Sequence, residues 1–255
     1  MKIINTEKYF IGSWIQTAST ISAELMANCG FDFLVVDTEH SAVDLSQAQA
    51  IFQAIKSGNT DCKPFVRLKG NDYATTKRYM DAGANGVIVP LVNSAGVAKE
   101  VVRAVKYPPD GDRGVGFCRD NMWGINLDSR IQSANQETFV CLQIEHQKAL
   151  ASIDEILSVK GVDAAFIGPY DLSASMGITA QFDHPDYQTA VATILNACNK
   201  YNVMAGIHVV QPDVDEVLQR IDQGFRMIGF SLDVTMISHI SIIGLKKIRR
   251  KLNEK

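Results

Sequence analysis

Two short apolar segments that each end in a carboxylate could together bind a metal ion. The segment FVCLQIE, Phe139–Glu145, closes with Glu145, and VDAAFIGPYDLS, Val162–Ser173, carries Asp171 just beyond a Gly-Pro break. If both segments are parallel strands of one sheet, the two carboxylates emerge at the same edge, where their oxygens could hold a hard divalent cation. For either side chain, the alternative is a helix N-cap or a surface ion pair.

Ionisable residues also occur at the ends of other predicted strands. Asp37, Glu39 and His40 follow one apolar run, and Arg67 lies in the next. With Glu145 and Asp171 they make a group of four anions and one cation (His neutral), and buried charge of one sign requires a partner. A divalent cation would balance the excess. The remaining polar or amphipathic residues at predicted strand ends are Trp14, Gln16, Lys69, Gln143, His208, Ser231 and Asp233.

The residue types after the second and third strands suggest acid–base chemistry and anion binding. If the chain turns after Asp37, that carboxylate can accept a proton from one ring nitrogen of His40 and orient the other nitrogen toward a substrate. The alternative for His40 is a cap on the following helix. Arg67 carries a planar guanidinium suited to a carboxylate or ketone oxygen. Its alternative role is a structural salt bridge to Asp37 or Glu39.

Two other side chains have weaker claims to a chemical role. His208 lies on an apolar strand, where a lone histidine is more often a hydrogen-bonded core residue. Lys69 is the one lysine at a predicted strand end, but the segment KGND around it has the composition of an exposed turn. Because imine chemistry needs a desolvated lysine, this mechanism is disfavoured.

Strand-like and helix-like segments alternate along the whole chain. Eight such units occur in 255 residues with no linker between them, and their strands are apolar on both faces. This pattern predicts a single (β/α)8 barrel over residues 1–255, with a last helix near Val234–Leu252. An open doubly wound sheet is the alternative, but it would normally place a glycine-rich turn after the first strand, and Trp14–Thr17 contains no glycine.

The composition restricts the class of protein. A net charge of -3 argues against a nucleic-acid or polyphosphate binder. The five cysteines form no CxxC pattern, which favours a reduced, cytoplasmic setting. The start MKIINTEKYF has no apolar signal-peptide core, and no apolar run approaches about 18 residues, so no membrane span is predicted.

A series of short motifs runs along nearly the whole chain. They are GSW at Gly12–Trp14, GFDFLVVDTEH at Gly30–His40, FVRLKGND at Phe65–Asp72, MDAGANGVIVPLV at Met80–Val92, YPPDGDRGVG at Tyr107–Gly116, QIE at Gln143–Glu145, GVDAAFIGPYDLSASMG at Gly161–Gly177 and HP at His184–Pro185. Each motif alone is weakly specific. Their order and spacing together resemble the HpcH/HpaI aldolase family, the metal-dependent class II pyruvate aldolases.

The resemblance implies a role for each matching residue. Glu145 and Asp171 match the two protein ligands of a divalent ion, Mg²⁺, Mn²⁺ or Co²⁺. His40 matches the catalytic base and Asp37 its carboxylate partner, while Arg67 matches the arginine that binds the pyruvyl oxygen. The other matching positions are Asp81, for transition-state support, and Gln143, Gly168, Tyr170 and Asp171, for substrate contact.

The resemblance also implies an activity and an assembly. The activity is reversible cleavage of a 4-hydroxy-2-oxo acid to pyruvate and an aldehyde, through a metal-stabilised pyruvate enolate. The assembly is a homohexamer with the last helix packed on a neighbouring subunit, which the apolar positions in Ile237–Leu245 would suit. Two alternatives remain: a lyase that acts on a citramalyl- or malyl-type coenzyme A thioester, and a non-catalytic barrel that binds a small acid.

Three regions depart from the family pattern. The position of Tyr170 is often a small residue, the loop FCRDNMW at Phe117–Trp123 is unusual, and so is the strand that carries His208. We expect the loop and the strand to meet the aldehyde half of the substrate. The resemblance therefore does not identify the acceptor aldehyde, whereas the residues expected to bind pyruvate match the family.

Overall fold

The computed structural model describes residues 8–254, and its strands close into a parallel barrel. Each strand pairs with its sequence neighbour, and the last strand pairs with the first. The predicted (β/α)8 barrel is thus confirmed, and the open sheet is excluded. The strands are β1 Phe10–Ile15, β2 Phe33–Asp37, β3 Lys63–Arg67, β4 Gly86–Val89, β5 Phe139–Ile144, β6 Ala164–Ile167, β7 Met204–Val209 and β8 Met227–Leu232.

Helices surround the barrel and run antiparallel to the strands. The helices are α1 Thr20–Asn28, α2 Leu45–Gly58, α3 Tyr73–Asp81, α4 Ala95–Val105, α5 Leu127–Glu137, α6 Gln147–Ala151, α7 Ile153–Leu157, α8 Pro169–Ser175, α9 Pro185–Tyr201, α10 Val214–Asp222 and α11 Asp233–Asn253. A 3₁₀ segment, Arg119–Gly124, lies between α4 and α5. Because each helix returns the chain to the start of the next strand, helix ends lie near the amino ends of the strands.

Aromatic rings fill the lower part of the barrel interior. The rings of Phe65 and Phe139 stack with centroids 5.1 Å apart, and those of Phe33 and Phe65 with centroids 5.5 Å apart. A Cβ on Gly12 would lie 2.4 Å from the Phe33 ring, so only glycine fits beside it. This packed interior closes the barrel from below and leaves its carboxyl end for polar groups.

The cap of α2 removes one alternative role for His40. The Asp44 carboxylate accepts a hydrogen bond from the Gln47 backbone N–H at 2.9 Å, and the Gln47 side chain accepts one from the Asp44 N–H at 2.9 Å. This capping box satisfies the start of the helix. His40 therefore does not serve as the cap of α2.

The connection after β6 contains a helix that the sequence analysis did not predict. The Gly-Pro pair ends β6, as the sequence predicts, and Pro169 is also the first residue of α8. Its fixed φ and missing N–H suit the first helical position. As a result, Asp171 lies in the first turn of a helix that directly follows β6.

The last helix leaves the barrel with much of its apolar surface uncovered. Of the 21 residues of α11, all within the described part of the chain, Asp233 alone is buried. Ile237, Ile240 and Ile248 are each more than half exposed. Exposed apolar side chains also lie on α1, at Ile21 and Leu25, and on α10, at Val214 and Leu218. Among residues 8–254, no helix, α11 included, has the length and apolar character needed to cross a bilayer.

Candidate active site

Most of the predicted site residues meet at the carboxyl ends of the strands. Asp37 and Arg67 are register partners at the ends of β2 and β3. Gln143 faces the interior from β5, Glu145 follows that strand, and Gly168 follows β6. Strand geometry explains the grouping, because parallel strands present their carboxyl ends at the same mouth of the barrel.

A buried ion pair joins β2 to β3. The Arg67 guanidinium donates from Nε to Asp37 Oδ1 at 2.9 Å and from Nη2 to Asp37 Oδ2 at 2.7 Å, and its Cζ lies 4.5 Å from the Trp14 ring centroid. Burial disfavours the charged form of Asp37, but the bonds from Arg67 outweigh it, so the pKa of this carboxyl is lowered. The alternative role of Arg67, a salt bridge to Asp37, is therefore present in the structure. The third guanidinium nitrogen, Nη1, is not part of the pair with Asp37.

The expected pairing of Asp37 with the His40 ring is wrong in this structure. Asp37 accepts the backbone N–H of His40 at 3.3 Å, not a ring N–H. The His40 side chain is 60% exposed, and its Nε2 lies 3.6 Å from Glu39 Oε2. Arg67 Nε lies 3.4 Å from the same Glu39 oxygen. The His40 imidazole therefore lies beside Glu39, the residue before it, and not beside the Asp37 carboxylate.

Glu145 is buried, and other residues contact its side chain from three sides. Its side chain accepts the backbone N–H of Leu91 at 2.8 Å and a hydrogen bond from the Gln143 amide. A Cβ on Gly168 would lie 2.7 Å from Glu145 Oε2, so that glycine is required for the close approach of the backbone. Burial raises the pKa of Glu145, and the nearby charges of Glu39 and Asp171 act in the same direction, against the two hydrogen bonds.

The Leu91 contact is the feature of the site that sequence reasoning missed. Leu91 follows β4 with a φ of 55°, in the left-handed region that non-glycine residues rarely adopt. This conformation directs its N–H at the buried carboxylate. No residue type in the sequence signals a backbone donor, so the contact could not be predicted.

The donor groups around Glu145 fit a divalent cation. Within residues 8–254, no three His, Cys, Asp or Glu side chains are close enough to form a metal site on their own. Magnesium and manganese sites commonly use one or two carboxylates and complete their shell with water and substrate oxygens. The side-chain amide oxygen of Gln143, Oε1, is buried without a hydrogen-bond partner beside Glu145, and Glu39, Glu145 and Asp171 add negative charges that interact with one another. A cation would satisfy both features.

His208 lies in the floor of the same mouth. Its Nε2 is 3.2 Å from the Ser231 carbonyl oxygen, and its ring centroid is 5.2 Å from that of Trp14. Burial lowers the pKa of His208 to about 4, so the imidazole is neutral near pH 7. Since Nε2 must then donate to the carbonyl, Nδ1 is left as an acceptor. The prediction of a hydrogen-bonded core residue is confirmed in part, because the ring also lines a cavity.

That cavity extends from His208 toward α8 and α10. It has a volume of about 130 Å³. Tyr170 and Phe182 form one wall, with ring centroids 5.2 Å apart, and Gln211 is a neutral polar neighbour. Tyr170 itself is 50% exposed. The other lining residues are Pro169, Ile207, Val210, Glu216 and Arg220.

Two predicted site elements lie at the opposite end of the barrel. Asp81 is the last residue of α3 and accepts a hydrogen bond from Arg113 at 2.8 Å, near the amino ends of the strands. The loop Phe117–Trp123 precedes α5 and β5 and lies at that same end. The expectations that Asp81 supports catalysis and that this loop meets the aldehyde are therefore not met within one chain. The cause is the antiparallel course of the helices.

The chain matches the model of one protein family over most of its length. Residues 11–239 match HpcH/HpaI aldolase/citrate lyase. A "Hydroxypyruvate/pyruvate aldolase" of Sagittula stellata is 38% identical over 228 residues, which cover 89% of this chain and 88% of the relative. A "4-hydroxy-2-oxo-heptane-1,7-dioate aldolase" of Escherichia coli is 34% identical over 230 residues, which cover 89% and 86%.

Solved structures agree with the sequence matches. A family protein from Burkholderia cenocepacia superimposes with a TM-score of 0.90 at 31% identity, and the match covers 95% of both chains. The citrate synthase SbnG superimposes with a TM-score of 0.86 at 23% identity. The second likeness is one of fold alone, because the identity is low.

Proposed function

Because the chain belongs to the HpcH/HpaI aldolase/citrate lyase family, we propose that it is a metal-dependent aldolase that reversibly cleaves a 4-hydroxy-2-oxo acid to pyruvate and an aldehyde. The main observation behind the proposal is the group of carboxylates and Arg67 at one mouth of the barrel, in which Glu145 is buried and its pKa is raised. The curated relatives named as pyruvate and 4-hydroxy-2-oxo-heptane-1,7-dioate aldolases support it.

Glu145 and Asp171 would hold the divalent ion, Mg²⁺, Mn²⁺ or Co²⁺, with the side-chain oxygen Oε1 of Gln143 nearby. When bound, the ion would supply Lewis-acid stabilisation of negative charge on the 2-oxo group. The Gly168 backbone leaves room for this arrangement, since any side chain there would collide with Glu145. We expect Gln143, Gly168 and Tyr170 to contact the substrate.

Arg67 would bind the oxygen that becomes negative as the carbon–carbon bond breaks. Its position is set by the two hydrogen bonds to Asp37 and by the Trp14 face beneath it. A preorganised cation of this kind stabilises the transition state without reorganisation during the reaction. Asp37 thus acts on catalysis by fixing Arg67.

His40 would accept the proton of the 4-hydroxyl group. Its ring is exposed at the mouth and lies on the same side as Arg67 and Glu39. As the C3–C4 bond breaks, its electron pair becomes the enolate of pyruvate, and the 4-hydroxyl carbon becomes the aldehyde. The protonated imidazole then returns the proton to C3.

The cavity beside His208 would receive the substituent of the aldehyde. About 130 Å³ suits a substituent of only a few heavy atoms. His208 offers a neutral acceptor, and the charge of Arg220 is compensated by Glu216 at 2.9 Å. A short hydroxylated aldehyde therefore fits the cavity better than one with a terminal carboxylate.

Assembly through α11 follows from the uncovered apolar surfaces. The exposed face of α11 in one copy would cover the apolar positions of α1 and α10 in another, and burial of such surface contributes about 25 cal/mol per Å². A homo-oligomer, a hexamer as in the resembled family, is the form we propose. Light scattering at several protein concentrations tests it, and a stable monomer would exclude it.

The test of the proposed function follows enolate formation and carbon–carbon bond formation separately. The protein is incubated with pyruvate in D₂O, with Mn²⁺ or with a chelator, and deuterium uptake at C3 is followed by NMR. Metal-dependent uptake is expected, followed by aldol formation when glycolaldehyde is added. Turnover of a malyl-type thioester in place of these reactions would favour the coenzyme A lyase. Binding of pyruvate without exchange would favour the non-catalytic barrel.

A further inference from the structure

A cavity at the amino ends of β7 and β8 lies at the opposite end of the barrel from the site described above. Its volume is about 470 Å³, within the range of about 300–1,000 Å³ that small-molecule sites occupy. Its walls come from the last turn of α9, the start of β7 and the segment before β8. Within the described part of the chain, it shares no lining residue with the cavity beside His208. The reaction proposed above therefore leaves it without a task.

Among the described residues that line this cavity, Arg226 alone is charged. Its Nη1 donates to two main-chain carbonyl oxygens, that of Ile221 at 3.0 Å and that of Phe225 at 2.9 Å, and its Cζ lies 5.3 Å from the Tyr9 ring centroid. Within residues 8–254 it has no carboxylate partner, and its Nε and Nη2 donate to no other group. Of the five N–H donors of a guanidinium, three therefore remain.

The remaining donor edge of Arg226, formed by Nε and Nη2, can bind an oxyanion at two points. Arg67 uses this same edge for the Asp37 carboxylate, with Nε on Oδ1 and Nη2 on Oδ2. Carboxylate and phosphate groups both match such a fork of parallel donors. Because this edge of Arg226 meets no carboxylate of the described residues, it is available for an anion from solution.

The other described residues of the lining carry no negative charge. Asn199 and Asn202 contribute amide side chains, which can donate to and accept from hydroxyl groups. Burial raises the pKa of Cys198 to about 12, so its thiol is neutral near pH 7. The carbonyl oxygens of Cys198 and Asn199 at the end of α9 accept the N–H of Asn202, which limits their repulsion of an anion.

We propose that this cavity is a second ligand site, which takes a small hydroxylated molecule with one carboxylate or phosphate group. The Nε–Nη2 edge of Arg226 binds the oxyanion, and the Asn199 and Asn202 amides contact the hydroxyl groups. A cavity of about 470 Å³ is larger than an inorganic oxyanion requires, so the ligand carries a body besides its charge. Binding here needs neither a metal ion nor the aldolase activity, and the two proposals are therefore independent.

The first experiment identifies the charged group of the ligand. D-Glycerate, glycerol 3-phosphate and glycerol are titrated by calorimetry into the full-length, metal-free protein. At least one of the two anions should bind at one site per chain, at least about tenfold more tightly than glycerol, because glycerol cannot form the charge-assisted hydrogen bonds. The tighter anion shows whether the group is a carboxylate or a phosphate. No binding of either anion, or equal binding of glycerol, would overturn the inference.

The second experiment locates the ligand with matched variants, each shown to be folded by circular dichroism. Asn199→Asp adds a negative charge to the cavity and should weaken binding of the tighter anion at least about tenfold. Asn196→Asp, the same change at an exposed position one turn earlier on α9 and outside the cavity, should leave the affinity within about twofold.

Arg67→Ala should also bind this anion as the wild-type protein does, because the cation that it removes lies at the carboxyl end of the barrel. Equal affinities for Asn199→Asp and Asn196→Asp, or loss of binding in Arg67→Ala, would place the anion elsewhere and refute the site.

Discussion

The two ends of the barrel use buried charge in opposite ways. At the amino end, Arg113 is fully buried and pairs with Asp81 at 2.8 Å and Asp120 at 3.1 Å, while its Cζ lies 4.6 Å from the Tyr107 ring centroid. Arg130 bridges Asp120 and Glu137. These ion pairs attach the segment between α4 and β5 to α3.

At the carboxyl end, charge is concentrated and left partly uncompensated. Asp37 and Arg67 form one closed pair, but Glu39 and Glu145 have raised pKa values, chiefly because of burial. Unpartnered oxygens remain on Glu39 and Gln143. Such groups cost stability unless a ligand completes them. Buried atoms without a hydrogen-bond partner also occur at the amino end, on Arg113 Nε and Nη1, but there the cation faces two carboxylates. The carboxyl end instead holds an excess of anions, which indicates binding and chemistry.

The largest expected effect is a loss of stability when Arg113 is removed from the ion pairs at the amino end. Arg113→Ala leaves Asp81 without its buried cation and Asp120 with Arg130 alone, and should destabilise the fold by about 3–5 kcal/mol. Chemical denaturation measures the change. Arg103→Ala is the matched control, since Arg103 is 65% exposed and its pair with Asp112 is solvated; its effect should be below about 1 kcal/mol. Equal midpoints for the two variants would show that the amino-end network is not structural.

At the carboxyl end of the barrel, substitutions should mainly lower the rate of catalysis. Arg67→Ala should lower kcat/KM for cleavage of a 4-hydroxy-2-oxo acid by at least about 10²–10³-fold, because it removes a preorganised donor at the developing oxyanion. Arg67→Lys keeps the charge but not the two-point pairing with Asp37, and should recover little. Steady-state assays of pyruvate release decide. Unchanged turnover in Arg67→Ala would refute the role.

Metal binding should appear as a pH-dependent gain in stability. Mn²⁺ at 100 times its Kd should stabilise the protein by about 2.7 kcal/mol. The raised pKa of Glu145 means that a proton competes with the metal at higher pH than at an ordinary carboxylate. In the metal-free protein, the contribution of Glu145 to stability should instead increase as pH falls, because protonation removes its buried negative charge.

Thermal denaturation with and without Mn²⁺, from pH 8 down to pH 5, measures both trends. Glu145→Gln should abolish the metal-dependent gain, whereas Glu137→Gln, at the amino end, should retain it. A gain of the same size in Glu145→Gln would place the ion elsewhere.

The smallest effect concerns the choice of aldehyde. His208→Leu removes the neutral acceptor from the cavity and should reduce the preference for glycolaldehyde over propanal by about tenfold, as expected for one lost hydrogen bond. The ratio of kcat/KM values for the two aldehydes with pyruvate is the measurement. His239→Leu, on α11 outside the cavity, is the control. An unchanged ratio in His208→Leu would exclude the cavity as the aldehyde site.

The amino-acid sequence by itself determined the barrel and the identity of most residues at its mouth. Apolar runs mark each strand because both faces of a covered parallel sheet are buried, and that requirement acts on each residue separately. The polar residues that end those runs, such as Asp37, Arg67 and Glu145, must then share one edge. This part of the site follows from local pattern and topology.

Only the tertiary structure decided which of these residues touch. The pair of Asp37 with Arg67 depends on the register of β2 against β3, and the approach of His40 to Glu39 depends on the turn that follows. The Leu91 N–H reaches Glu145 through a left-handed backbone conformation, and Asp81 lies at the far end because α3 runs against the strands. Contacts between elements depend on register and direction, which are set by the packing of the whole chain and not by any single segment.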